Sequence, residues 1–301
     1  MNYVMIGVRK NKDSDRMLKK KITYSQEFLK KYEQYFCCLN CQEKMSFKEP
    51  QSLVCVNGHR YDLSKKGTIH FPNHHMISDY DQEMLTHRRA MILAGLYQPV
   101  LDVLKEKVAF SDYESIVEMG CGEGSFLNQL ILETEFKGFT SGFDLSKDGV
   151  QMASDYNAQA FWFLGDVTQV PMEDAKLDLI LNMLSPVSYE EVKRVLKPTG
   201  QIIKIIPESD YLKELRMLFF KDEPEKLTYS NEHTDLKFKE NLTLISEERV
   251  TYKIKVTPEN YEHILKMSPL HWGASQEARL YAQQHPFSEL TIDLKILIGQ
   301  K

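Results

Sequence analysis

From residue 115 to residue 206, short apolar runs alternate with stretches whose apolar positions recur every three or four residues. Compact apolar runs bounded by turn formers read as strands, and the 3.6-residue repeat reads as helix. Strands are predicted near 115–119, 141–144, 161–164, 177–182 and 201–206, with helices near 125–133, 147–156 and 188–196 between them. Lys197-Pro198-Thr199-Gly200 turns the chain into the fifth strand. This alternation builds a parallel sheet covered on both faces, a Rossmann-like α/β fold. Beyond it, a helix covers about 210–220, residues 221–241 read as charged and irregular, 242–256 alternate like a strand, 258–267 read as helix, and 290–298 as a last strand. Upstream, a helix over 81–94 stops at Gly95, and Pro99 opens another that runs to Lys107. The expected organisation is a basic, flexible leader over 1–35, a small module over 36–71, a polar linker over 72–84 and the main domain over 85–301. Within the leader, residues 22–36 place Tyr, Phe and Leu on one face of a potential helix.

The first strand of the sheet runs into Val117-Glu118-Met119-Gly120-Cys121-Gly122-Glu123-Gly124. Three glycines at alternate positions let a ligand lie against the main chain, and the amides of the helix that follows face it. The spacing is not the Gly-x-Gly-x-x-Gly of dinucleotide folds. Glu118 before it would repel a pyrophosphate but suits a ligand with cationic character. Taken alone, the turn favours S-adenosylmethionine over the plainer reading of a tight strand-to-helix connection in another α/β protein. Two further strand ends add to it. Asp144, about twenty residues on, can accept both hydroxyls of a ribose, and Asp166 can meet an adenine amino group; either can also be a plain strand-end cap. A Gly-rich turn, an acid and an acid at three successive strand ends point to S-adenosylmethionine, held at the carboxyl ends of the strands.

The module over 36–71 carries Cys38-Leu39-Asn40-Cys41 and, after thirteen residues, Cys55-Val56-Asn57-Gly58-His59. Two knuckles supply four ligands for tetrahedral structural zinc, and a segment this small gains folding free energy from the metal. Cys37, His70, His74 and His75 are alternative ligands nearby. The stretch 60–71 mixes basic and aromatic residues, which suits RNA phosphates and base faces and equally suits the second hairpin of a zinc ribbon. Residues 1–31 hold nine Lys and Arg against three acids, a balance of +6, so with −5 overall the remainder carries −11. Such a leader is a solvated arm or a nucleic-acid contact. No run approaches the roughly eighteen apolar residues of a membrane span, and the N-terminus lacks a signal-peptide core. A cytoplasmic location follows, in which cysteines are read as metal ligands before disulfides.

Asn182-Met183-Leu184-Ser185-Pro186 ends the fourth strand beside the donor site. Asn182, Ser185 and Pro186 are candidates for orienting a methyl acceptor, since in-line displacement depends on alignment. No general base is evident. Arg88 and Arg89 can position RNA phosphates or a base, or form a solvated helix face. Together, the Cys-x-x-Cys…Cys-x-x-x-His module, His87-Arg88-Arg89-Ala90, Ala94-Gly95-Leu96-Tyr97-Gln98-Pro99, the Gly-Cys-Gly-Glu-Gly turn, Asp144-Leu145-Ser146-Lys147, Ser185-Pro186 before Arg194-Val195-Leu196-Lys197, and Met267-Ser268-Pro269-Leu270-His271-Trp272 resemble the bacterial 23S ribosomal RNA guanine-N1 methyltransferases, notably the Gram-positive branch with macrolide-resistance members. The resemblance spans about residues 36–300. It implies a class I S-adenosylmethionine-dependent methyltransferase behind a zinc-ribbon-like domain, with zinc on Cys38, Cys41, Cys55 and His59. It implies donor contacts from Tyr97, from Gly122 and Glu123 in the turn, and from the position of Tyr211, where relatives often carry histidine; Gly120 and Gly124 join them as the other glycines of the turn. It also implies a hairpin of 23S rRNA as partner rather than DNA or a membrane, and a homodimer. Met267 and Trp272 either line the acceptor cleft or belong to the core.

Overall fold

A computed structural model describes residues 21–72, 80–156 and 160–301; the linker residues 73–79, with His74 and His75, and the first twenty residues lie outside the described range. Helix α1 (Lys21–Tyr32) leads into a three-stranded antiparallel sheet of β1 (Met45–Lys48), β2 (Ser52–Cys55) and β3 (Arg60–Asp62). After the two-residue strand β4 (Ile69–His70) come α2 (Gln82–Leu93), α3 (Gln98–Lys107), β5 (Ser115–Met119), α4 (Ser125–Thr134), β6 (Phe139–Asp144), α5 (Lys147–Ala153) and β7 (Phe161–Leu164). The second half holds β8 (Leu177–Met183), α6 (Tyr189–Val195), β9 (Leu196–Pro207), α7 (Lys213–Phe219), α8 (Pro224–Leu227), α9 (Glu232–Asn241), β10 (Thr243–Lys255), α10 (Pro258–Lys266), α11 (Leu270–Gly273), α12 (Gln276–Gln284) and β11 (Glu289–Gln300). Residues 221–241, expected to be irregular, thus contain α8 and α9. Their polar composition hides one decisive contact: Phe238 on α9 is fully buried.

The large sheet runs β10-β11-β9-β8-β5-β6-β7-β4. Its strands from β9 to β4 are parallel, while β11 and β10 add in antiparallel register. The chain goes from β5 outward to β6 and β7, then returns to the other side of β5 with β8. The order therefore reverses between β5 and β8, which opens a crevice at the carboxyl ends of these strands. All five residues of β5 are buried, as a strand covered on both faces requires. Alternation divides them: Ile116 enters the core shared with α3 and α4, whereas Val117 and Met119 enter the core on the opposite face.

That opposite core differs from the expected layout. Residues 21–35, assigned to a flexible leader, are α1 and a following turn of 3₁₀ helix, with Leu29 fully buried. The Phe28 ring stacks on Phe161 at 5.5 Å, and Tyr35 stacks on Phe139 at 3.9 Å. Nor does the small module stand apart. Strand β4 extends the large sheet, with Ile69 opposite Phe163 and His70 opposite Leu164. Phe36 and Phe71, both fully buried, meet the Phe163 ring at 6.2 and 5.2 Å. The edge of β7 needed hydrogen-bond partners, and aromatic area from the module covers a sheet face that would otherwise meet water.

Candidate active site and metal centre

Cys38, Cys41, Cys55 and His59 come together at the tips of the module, their ligand atoms all within 4.8 Å of one another. His59 Nδ1 is 3.4 Å from each of the three sulfurs, and Cys41 Sγ is 3.7 Å from Cys55 Sγ. A tetrahedron with zinc–sulfur and zinc–nitrogen bonds of ordinary length has edges of about 3.5 and 3.8 Å, so the four residues fit zinc. Tyr61 Oη lies 3.9 Å from Cys38 Sγ and supports the cluster from behind. Cys37 is buried outside it, its thiol facing Gln42 and its pKa pushed up to about 12 by desolvation. His70, on β4, is also outside.

The crevice between β5 and β8 holds a cavity of about 290 Å³ lined by Glu118, Gly120 to Glu123, Asp144, Leu145 and Ser146 among others; Gly124 does not line it and instead packs against Ala153 and Trp162. Gly120 has φ +76°, and a Cβ there would fall 1.9 Å from Ser185 Oγ. At Gly122, with φ +53°, nothing lies nearer than Leu85 at 4.0 Å, so a side chain would run straight into the cavity. Asp144 ends β6 and accepts from the Gly122 and Ser146 amides, each at 2.8 Å, which braces the turn; burial raises its pKa. Glu118 is buried, and its Oε2 has no hydrogen-bond partner. Desolvation, then the charges of Glu123 and Asp144, raise its pKa. Three carboxylates around one cavity, one with an orphaned oxygen, are complementary to a sulfonium and to ribose hydroxyls. These residues fit S-adenosylmethionine.

Two acidic positions do other work than expected. Glu123 lines the cavity but is committed to Arg89, Nε to Oε2 at 2.8 Å, and to Ser125 Oγ at 2.6 Å. Arg89 is therefore a buried-pair partner and not a free phosphate contact. Asp166 does not line the cavity, although Gly165 and Val167 do. Its Oδ1 accepts from Thr168 N and Oγ1 at 2.8 and 2.7 Å, a local turn that draws the carboxylate away. The strand-end cap is the reading the geometry displays there.

A second cavity, of about 340 Å³, adjoins the first. Tyr80, Arg88, Tyr97, Leu184, Ser185 and Pro186 border both. It continues past Lys204, Tyr211, Arg216, Tyr229 and Met267, and among the described residues no carboxylate lines it. The hydroxyls of Tyr97 and Tyr211 meet at 2.8 Å, both phenols kept neutral by burial. Arg88 Nε donates to Met267 O at 3.1 Å, its guanidinium 5.4 Å from the Tyr80 ring centre, and Arg216 stands 5.2 Å from that of Tyr229. Trp272 does not line the cavity but packs on Tyr80 at 5.6 Å. Leu184, at φ +51°, turns the chain so that Ser185 and Pro186 face the junction.

Asn182 corrects a sequence expectation. It is fully buried and lines neither cavity. Its Nδ2 donates to Met119 O at 2.9 Å and Pro186 O at 3.0 Å, so the amide ties β5 to the acceptor loop. Its Oδ1 accepts from Lys204 Nζ at 2.5 Å. Sequence reasoning passed over Lys204, Arg216 and Tyr229. For Lys204 a signal existed: Ile202-Ile203-Lys204-Ile205-Ile206 places a lone cation within a strand buried on both faces.

The reversed strand order, the acidic glycine-turn cavity and the adjoining acceptor cavity define a class I, Rossmann-like methyltransferase that uses S-adenosylmethionine. Residues 110–267 match the family described as "Methyltransferase domain". Over 275 residues the chain is 34% identical to YxjB of Bacillus subtilis (strain 168), assigned to the 23S rRNA (guanine-N1)-methyltransferases, covering 88% of this chain and 97% of that one. It is 23% identical over 277 residues to the 23S rRNA (guanine(748)-N(1))-methyltransferase of Streptomyces fradiae, covering 88% and 96%. This chain belongs to the 23S rRNA (guanine-N1)-methyltransferase family. Among the described residues no helix is long and apolar enough to cross a membrane.

Proposed function

We propose that this protein methylates N1 of a guanine in a hairpin of 23S ribosomal RNA, with S-adenosylmethionine as donor, in the cytoplasm. One observation carries the reading: two cavities of opposite character share a wall, one ringed by carboxylates and the other by Arg88, Lys204, Arg216 and aromatic rings. The first suits a cationic methyl donor. The second, within the size range of ligand pockets, suits a planar, electron-rich heterocycle stacked on tyrosine and arginine faces.

Donor contacts are assigned to Glu118, Gly120 to Glu123 and Asp144, with Tyr97 at the boundary; Tyr211 lies on the acceptor side, hydrogen-bonded to Tyr97. The donor supplies an electrophilic methyl on sulfonium. The protein aligns the acceptor with Ser185 and Pro186 and keeps water out with Tyr97, Tyr211 and Met267. Guanine N1 lies within the Watson–Crick edge, so the base must be unpaired or extruded to enter. The zinc module, with Arg60, Lys65 and Lys66 exposed on and beyond its last strand, suits the phosphates of a hairpin backbone. The homodimer implied by the family resemblance belongs to the same proposal, and light scattering reads it. The test of function is reverse transcription across large-subunit rRNA from cells with and without the gene. A methyl on N1 blocks pairing, so one gene-dependent stop at a hairpin guanine is expected; no difference, in cells that make the protein, refutes the proposal.

A further inference from the structure

Lys204 sits in the middle of β9, 3% exposed, with its amine at the wall of the acceptor cavity. Among the described residues its Nζ has two protein partners: Asn182 Oδ1 at 2.5 Å and the Ser185 carbonyl at 3.0 Å. The Asn182 amide cannot be turned over, because its nitrogen already donates to Met119 O and Pro186 O. Both partners of Lys204 are therefore neutral acceptors. Among the described residues, the charged and titratable groups around the same cavity are Arg88 from α2, Arg216 from α7 and the phenols Tyr97, Tyr211 and Tyr229, with no carboxylate among them. An ammonium has three N–H groups to satisfy and finds, among the described residues, two acceptors and no counter-charge. A neutral amine has two N–H groups, which match the two acceptors, and one lone pair left over, on a residue that lines the cavity.

We infer that Lys204 is the general base of the methyl transfer, its neutral amine taking the proton from N1 of the acceptor guanine. This rests on the reading of the cavity as the guanine site. The N1–H proton passes to Nζ, which becomes an ammonium. The N1 electron pair forms the bond to the methyl carbon as the carbon–sulfur bond breaks, and sulfur keeps that pair as a neutral thioether. The proton leaves for water after product departs. Arg88 and Arg216 face the negative charge that builds on the lactam oxygen as N1 loses its proton. Burial lowers the Lys204 pKa to about 8, the range in which a base works near neutral pH.

The test uses the full-length protein with a 23S ribosomal RNA transcript. Lys204→Gln keeps donors for Asn182 and Ser185 without a basic lone pair, and Lys204→Met keeps volume alone. Single-turnover methylation by the wild type should rise with pH and level above about 8. Both variants should lose at least ~100-fold and regain rate steadily with rising pH as hydroxide substitutes, while calorimetric donor affinity and RNA affinity stay within about twofold, since neither ligand's binding uses the proton. Independently of turnover, the carbon next to the Lys204 amine should titrate near pH 8 by NMR, in a signal absent from Lys204→Gln. A merely structural lysine would be rescued by Gln but not by Met. Wild-type rate and pH profile in Lys204→Gln, or an amine that stays charged through the assay range, overturns the inference and leaves the function reading intact. A wild type that binds donor yet methylates no RNA overturns both.

Discussion

Replacing Glu118 by glutamine should make the protein more stable and a poorer binder of its donor. The carboxylate is buried at the end of β5, one oxygen lacks a partner, and Glu123 and Asp144 stand close enough to oppose its charge. An unpartnered buried polar atom costs about 1–3 kcal/mol, and a glutamine side chain there would offer an amide that can donate to its acidic neighbours. In the donor-free protein Glu118→Gln should therefore gain about 1–2 kcal/mol in urea unfolding at pH 7.5. The sign of the pH dependence follows from the raised pKa. Below the unfolded value of about 4.3 the side chain is protonated in both states and no penalty exists. As pH climbs from there toward the raised folded value, the unfolded state ionises first and wild-type stability is lost. The advantage of the variant should accordingly be small near pH 4.5 and grow toward neutrality. Donor binding moves the other way: loss of a carboxylate facing a sulfonium should weaken calorimetric affinity about tenfold, or 1.4 kcal/mol. The orphaned oxygen is then a cost of folding retained for its ligand. A variant less stable than wild type, a gain independent of pH, or unchanged donor affinity would falsify this account.

Three other outcomes are expected. Gly122→Arg places a long side chain in the donor cavity from a φ of +53°; calorimetry should show no donor binding with zinc content unchanged, and retained binding would remove the turn from the site. Phe71→Ala cuts the aromatic seam between the module and β7 and should cost about 3–5 kcal/mol. Because β4 belongs to the large sheet, that variant, like chelation of zinc, should lower a single unfolding transition; two separate transitions would show an independent module. Arg89→Ala leaves Glu123 buried beside Ser125 without its ion-pair partner, 2.8 Å away in the wild type. It should lose about 3 kcal/mol, and a loss below about 1 kcal/mol in urea would mean that the pair is not what holds the start of α4.

The residues themselves settled whatever depends on local spacing. Apolar runs and helical repeats placed β5 to β8 and α4 to α6 within a few residues, because a strand buried on both faces has to be continuously apolar. The alternate glycines after β5 required positive φ, and the Cys-x-x-Cys knuckle needs only a tight turn to aim two sulfurs at one point. Glu118 and Asp144 at two successive strand ends identified the donor class, since parallel topology delivers those two ends to one crevice. Tertiary structure decided the rest, through contacts between segments far apart in the chain. That β4 pairs with β7, and that α1 lies on Phe139 and Phe161, depend on an open sheet edge and an uncovered apolar face that no local pattern reveals. Asn182 has the polarity of an acceptor-binding group but spends its amide on two backbone carbonyls. Asp166 has the place of a base contact but bends to Thr168. Lys204 looks like an intrusion in a run of isoleucines until Asn182 and Ser185 surround its amine. Hydrogen bonds saturate, so where a side chain points depends on which distant partner reaches it first, and only the folded chain contains that answer.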